Sequence, residues 1–187
     1  MYNIDESQVT KMQRQIGKTI RHASNYSAGP GVLAAKLGCT MVQAKTLLQL
    51  YHDMCPQLRL WHQRIRTQLE EKRTLYNLFG RKHVFTDRWG DALFRSAYSY
   101  IPQSTVGDLL NRSLVDIYNK YGHEILIMLQ LHDAIYCCVK PDEAKQIATE
   151  VLRPMMLHEL EVNYETFTID VDFKLGPSWG ELSDFDA

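Results

Sequence analysis

The chain has 187 residues, 45% of them hydrophobic and 23% charged, with a formal net charge of −1. Those values fit an ordinary soluble globular protein of one domain or two small lobes, long enough to bury a sizeable core. No apolar run approaches a membrane span, and MYNIDESQVTK lacks the basic-then-apolar order of a secretory leader, so no membrane partner is expected and the cytoplasm is the expected compartment.

The charge is unevenly spread. Residues 1–100 hold 15 Lys and Arg against 7 Asp and Glu, and residues 101–187 hold 6 against 15. A basic half suits an anionic partner such as nucleic acid or nucleotide, with a merely solvated surface as the alternative. Cys39, Cys55, Cys137 and Cys138 form no C-x-x-C pair and are expected to be buried, reduced thiols.

Residues 8–26 read as a helix that ends at the SAGPG stretch. A short helix, GVLAAKLG, stops at Gly38, and Thr40 is placed to cap a third, MVQAKTLLQLYHDM. Pro56 suits the first turn of a fourth helix, 56–73, which is basic at Arg59, Arg64, Arg66, Lys72 and Arg73. TLYNLF, Gly80-Arg81 and KHVF then read as a two-stranded ribbon. Helical character returns over 91–122, with a break expected near Ile101-Pro102. ILIMLQL reads as a buried strand, AIYCCV as its partner, and Pro141 to about Glu161 as a helix kinked at Pro154. TFTIDVDF alternates like a third strand that sets Asp170 and Asp172 on one face. The fold class is therefore α+β, helices first and a mostly antiparallel sheet near the C-terminus.

Arg14, Lys18, His22 and Tyr26 recur every four residues and share one helix face. Such a row of mutually repelling groups suits a bound polyphosphate, with Tyr26 free to stack on a base or sugar. A solvated basic face accounts for the spacing equally well. In LQLHDAIYCCV, a hairpin sets Asp133 at its tip, where a carboxylate is rigidly held and able to bind a divalent cation; a turn that merely favours Asp is the plainer account.

The row resembles the nucleotide-binding fingers helix of the DNA polymerase I family (family A), in which Arg, Lys, an aromatic and Tyr follow one another at this spacing. Further motifs run in the family's order. Gly80-Arg81 matches a Gly-Arg after a ribbon, RSAYSYIPQSTVGD resembles the helix whose Arg and Gln contact template and primer, and Gln130-Leu131-His132-Asp133 resembles the palm motif Gln-Val-His-Asp-Glu. LGPSWGEL resembles the closing segment, with Trp179 as its tryptophan. The resemblance spans about residues 8–182.

It implies a partial right-hand polymerase fold, with fingers over 1–90 and the C-terminal part of the palm over 91–187. It assigns dNTP binding to Arg14, Lys18, His22 and Tyr26, and DNA contacts to Arg81, Arg95, Gln103 and Gln130. Catalysis falls to Asp133, His132 and Lys18, with Asp133 as the metal ligand for two Mg²⁺ ions. Primer–template DNA and dNTP are the implied partners.

Three departures stand out. His22 replaces an aromatic, which puts the handling of the nucleotide sugar and of chain terminators in question. Ala134 stands where the family has Glu, and Ser27 where it has Gly. No Asp-Tyr-Ser-Gln-Ile-Glu-like strand supplies a second catalytic carboxylate; Asp170 and Asp172 are conceivable substitutes. The expectation is a split polymerase in which a complementary chain brings the second aspartate, the thumb and the other palm strands. A non-catalytic remnant that grips primer–template or nucleotide is the alternative from another class, and a shortened piece of a longer natural chain is a third. A bacterial or phage source follows from the family's distribution.

Overall fold

The computed structural model describes residues 5–185; the start at Met1 and the end of the acidic tail lie outside the described residues. The chain divides into two compact units, 1–104 and 105–187, and the division falls inside one long helix.

In the first unit, α1 (Lys11–Asn25), α2 (Pro30–Leu37), α3 (Met41–Met54) and α4 (Pro56–Lys72) follow in sequence. Thr10 and Thr40 each cap their helix through a capping box with a Gln three residues on. Pro56 sits in the first turn of α4, where its missing N–H costs nothing. Gly38 closes α2 in the left-handed region at φ 64°. Ile20, Ala23, Leu33, Ala44 and Leu48 form the core that joins α1, α2 and α3. The opposite face of α1 is thereby left to solvent.

β1 (Thr74–Tyr76) and β2 (Lys82–Val84) make the expected antiparallel ribbon, with Tyr76 opposite Lys82. Leu75 and Phe85 anchor it to Leu69 of α4 and to Leu93, Phe94, Ala97 and Tyr98 of α5 (Asp91–Tyr121). α5 runs unbroken through Pro102, against the expected break. Proline removes one helical hydrogen bond, but the turns on either side are anchored by Ala97 and Tyr98 and by Thr105 and Leu109, all buried. That burial outweighs one lost bond.

The second unit holds the rest of the β structure, antiparallel throughout, in ribbons of two strands. β3 (Leu126–Leu131) pairs with β4 (Ala134–Cys138), β5 (Glu159–Val162) with β6 (Glu165–Thr168), and β7 (Phe173–Leu175) with β8 (Ser183–Phe185). The expected single helix after Pro141 is short and composite: α6 (Ala144–Gln146) passes through a π-helical stretch, Ile147–Leu152, into α7 (Arg153–Met156). Pro154 opens α7 rather than kinking a continuous helix. TFTIDVDF is split, since β6 ends at Thr168 and β7 begins at Phe173, so Asp170 and Asp172 sit in the connection rather than on a strand. Ile117, Ile125 and Ile147 form this unit's core.

β3 is less buried than its apolar composition suggests. Leu126 and Met128 are each 60% exposed, because β4 is its one strand neighbour among the described residues. The cysteines are free, with Cys138 exposed and the other three half-buried. Among the described residues no helix is long and apolar enough to cross a membrane.

Candidate functional site

On α1, Arg14, Lys18 and His22 are exposed, and among the described residues neither Arg14 nor Lys18 has an ion-pair partner. Tyr26, just past the helix end, is half-buried against the core cluster around Phe94 and Tyr98. The His22 ring meets it edge-on, with centroids 4.7 Å apart and planes at 81°. The last two members of the row are therefore in contact, while the two cations point to solvent.

The basic α4 is less available than its composition suggests. The Arg66 Nε donates to the Tyr98 hydroxyl at 2.6 Å and its guanidinium lies 4.3 Å over Phe94. Arg73 donates to the carbonyls of Phe85 and Asp87 and covers Trp89. Both arginines work as internal staples.

Arg81 lies at the ribbon tip, and local chemistry explains how it is held. The Asn77 side-chain oxygen accepts from the Phe79 and Arg81 amides at 3.0 and 2.9 Å. Gly80 supplies the left-handed residue that the turn needs, at φ 80°. From α5, the Tyr100 hydroxyl donates to the Arg81 carbonyl at 2.6 Å, so the tip is tied to the helix that carries Arg95 and Gln103. Those two are exposed. Eight helical residues set them about 12 Å apart along the axis and about 80° apart around it. Asn77 and Tyr100 were not legible as functional residues. The Asn-x-x-Gly-Arg spacing was a usable turn signal for Asn77, but nothing local marks Tyr100.

In the second unit, the β3–β4 hairpin projects His132 and Asp133 from its tip, between the paired residues Leu131 and Ala134. Both are exposed, as is Gln130. His132 takes φ 54°, a conformation that costs a side-chain-bearing residue about 1 kcal/mol. Ala134 is half-buried opposite Leu131. The Trp179 ring stacks on Tyr136 of β4 at 4.5 Å and 24°, bracing the hairpin from the chain's closing segment.

Asp133 lines a largely apolar cavity of about 560 Å³, together with Asp170 and Asp172. Asp170 is already engaged: Arg153 Nη1 lies 2.7 Å from its carboxylate, which also accepts from the Val171 amide at 2.8 Å. Among the described residues no group of three or more His, Cys, Asp or Glu is arranged to hold a metal ion. Asp133 fits as one ligand of a divalent cation, but these residues alone do not complete a two-ion site, and Asp170 is a poor substitute for the second carboxylate.

The sequence profile of DNA polymerase family A matches residues 1–181. This chain belongs to that family. A thermostable DNA polymerase I from Thermus filiformis is 27% identical over 97% of this chain and 22% of its own length. A DNA polymerase of Escherichia phage T5 is 27% identical over 75% of this chain and 20% of its own. The chain thus spans about a fifth of the length of the curated relatives it matches. Among solved structures, the POL domain of Pol1 from M. smegmatis, in complex with DNA primer-template and dNTP, superposes with a TM-score of 0.74 at 20% identity. It covers 89% of this chain and 31% of that one, which shows a partial family A polymerase fold.

Proposed function

We propose that this chain supplies the fingers, residues 1–90, and the C-terminal part of the palm, residues 91–187, of a DNA-directed DNA polymerase. α5 opens the second of these portions. The observation that carries this reading is the α1 face: in a family A chain, Arg14 and Lys18 stand exposed in one row, and among the described residues no carboxylate pairs with either. A triphosphate is the anion such a row suits, with Arg14 gripping two oxygens at once and Lys18 acting as a compact charge. As the primer 3′-hydroxyl oxygen bonds to the α-phosphorus, it gives up its proton to solvent, the bond from that phosphorus to the α–β bridging oxygen breaks, and Lys18 offsets charge on the departing pyrophosphate. His22 and Tyr26 offer a ring pair for sugar and base. Arg81, Arg95, Gln103 and Gln130 would contact primer and template.

Asp133, with His132 beside it, would hold one side of a Mg²⁺ pair, and the other carboxylate would come from outside these residues. When bound, the ions supply Lewis-acid activation of the hydroxyl and charge neutralisation. A complementary polymerase chain carrying the second aspartate, the thumb and further palm strands fits the exposed Leu126 and Met128 of β3, an apolar edge that more strands would cover.

The test is primer extension with this chain and such a complementing region. Asp133→Asn should abolish extension while barely changing primer–template binding, because Asp133 is exposed and the substitution keeps the shape of the side chain. Extension that survives the substitution refutes the assignment. The second reading, a non-catalytic gripping module, draws on the incomplete metal site; it predicts binding of primer–template with no extension under any complementation.

A further inference from the structure

The Tyr26 end of the α1 row is only as well placed as the helix turn that presents it, and one buried side chain holds that turn from another helix. His62 of α4 is 9% exposed, and its Nε2 lies 2.8 Å from the backbone oxygen of Asn25. A carbonyl oxygen only accepts, so Nε2 carries a proton and donates it. Burial holds the imidazole pKa below its ordinary value, and Arg66 adds to the effect while the Asn25 bond opposes it. At neutral pH the ring is therefore neutral, in the Nε2–H tautomer.

Asn25 is the last residue of α1. Its carbonyl belongs to the final four, which have no amide ahead of them in the helix. His62 satisfies that orphan from outside. The imidazole is itself immobilised: it stacks on Tyr98 at 4.0 Å and 25°, and the Tyr98 hydroxyl takes the Arg66 hydrogen bond. The Tyr51 hydroxyl adds a weaker hold on the Asn25 side chain at 3.3 Å. Immediately afterwards comes Tyr26, and then Ser27 turns the chain at φ 53°. Tyr26 thus sits between a helix end and a left-handed turn.

We infer that His62 is the positioning residue for Tyr26: by fixing the Asn25 carbonyl to α4, it sets the height and rotation of the turn that presents Tyr26 and, through their ring contact, His22. This rests on the reading of α1 as a nucleotide-binding face.

The experiment compares His62→Phe, which keeps a stacking ring and loses the donor, with His62→Gln, which keeps an N–H donor and loses the ring. In this chain alone, amide hydrogen exchange is read along α1. His62→Phe should speed exchange about tenfold in the last turn, the scale of one lost hydrogen bond, and leave the first turn and α3 unchanged. His62→Gln should restore much of the protection. Unchanged exchange, or a uniform rise across the whole unit, overturns the inference. In primer extension with the complementing region, His62→Phe should raise KM for the incoming nucleotide about tenfold with kcat nearly unchanged. In a Tyr26→Ala background that difference should vanish. A full effect of His62→Phe without Tyr26 also overturns it. If the unsubstituted protein binds no nucleotide, the function proposed for α1 fails, and the exchange result still decides whether His62 holds the turn.

Discussion

Replacing Asn77 with alanine tests how the Arg81 tip is held. Asn77 is 6% exposed, and its side-chain oxygen accepts from two backbone amides, those of Phe79 and Arg81. Each such bond contributes about 1 kcal/mol net. Arg81 is exposed and Phe79 half-buried, so water reaches the freed amides and no large desolvation penalty is added. The Gly80 amide still bonds the residue-77 carbonyl, and the residue-77 amide still bonds the Arg81 carbonyl. The expected loss is therefore about 2 kcal/mol for the two side-chain bonds. With a urea slope of about 2 kcal/mol per molar, the unfolding midpoint falls by about 1 M. Trp61 and Trp89 fluorescence in a Trp179→Phe background reads the first unit. Asn77→Asp keeps an acceptor oxygen in the same place and should recover most of the loss. An unchanged midpoint in Asn77→Ala, or an Asp variant as unstable as the Ala variant, refutes the hydrogen-bond account. Primer–template affinity should fall in Asn77→Ala and recover with Asp, because the backbone that carries Arg81 loses its cap and regains it.

Gly80→Ala should destabilise the same unit by about 1 kcal/mol, read as a smaller midpoint shift. Nothing lies within 4 Å of an added Cβ, so the cost is that of φ 80° alone and a bulkier residue should be little worse. Burial first, and then the neighbouring Cys138, raise the Cys137 thiol from 9.0 to about 11, so the thiolate is disfavoured in the folded chain. Iodoacetamide at pH 8 should therefore modify exposed Cys138 well before Cys137, where about one thiol in a thousand is ionised. Cys137 labelling should climb about tenfold per pH unit towards pH 11, and early labelling of Cys137 at pH 8, seen by peptide mass, contradicts its burial.

What was legible in the sequence was what depends on local geometry. The i, i+4 row, the Thr40 cap and the hairpin around Asp133 each follow from a handful of neighbouring residues, and each is present in the structure. What was not legible depends on partners distant in sequence. The expected break at Pro102 is a local rule, overridden by the buried residues on both sides. β3 is apolar and reads as buried, yet exposure is set by neighbouring strands, which its own composition cannot report. Arg66 and Arg73 read as free positive charge and turn out to be stapled to rings and carbonyls. His62 and Asn25, 37 residues apart, carry no shared pattern at all.

The same contrast bears on how the candidate site is built. The groups that would touch substrate are exposed: Arg14, Lys18, Arg81, Asp133. Exposure leaves them little packing of their own, so the backbone around several of these groups is held by buried or braced residues behind it. Asn77 and Tyr100 aim Arg81, the Trp179–Tyr136 stack braces the Asp133 hairpin, and His62 fixes the end of α1. Long exposed side chains lose rotamer entropy when they bind a ligand. A scaffold that has already fixed the backbone limits that cost to the side chain itself. Substitutions at these supports should therefore weaken function without removing any group that meets the substrate, and the conservative variants that restore the supporting bond should restore function with it.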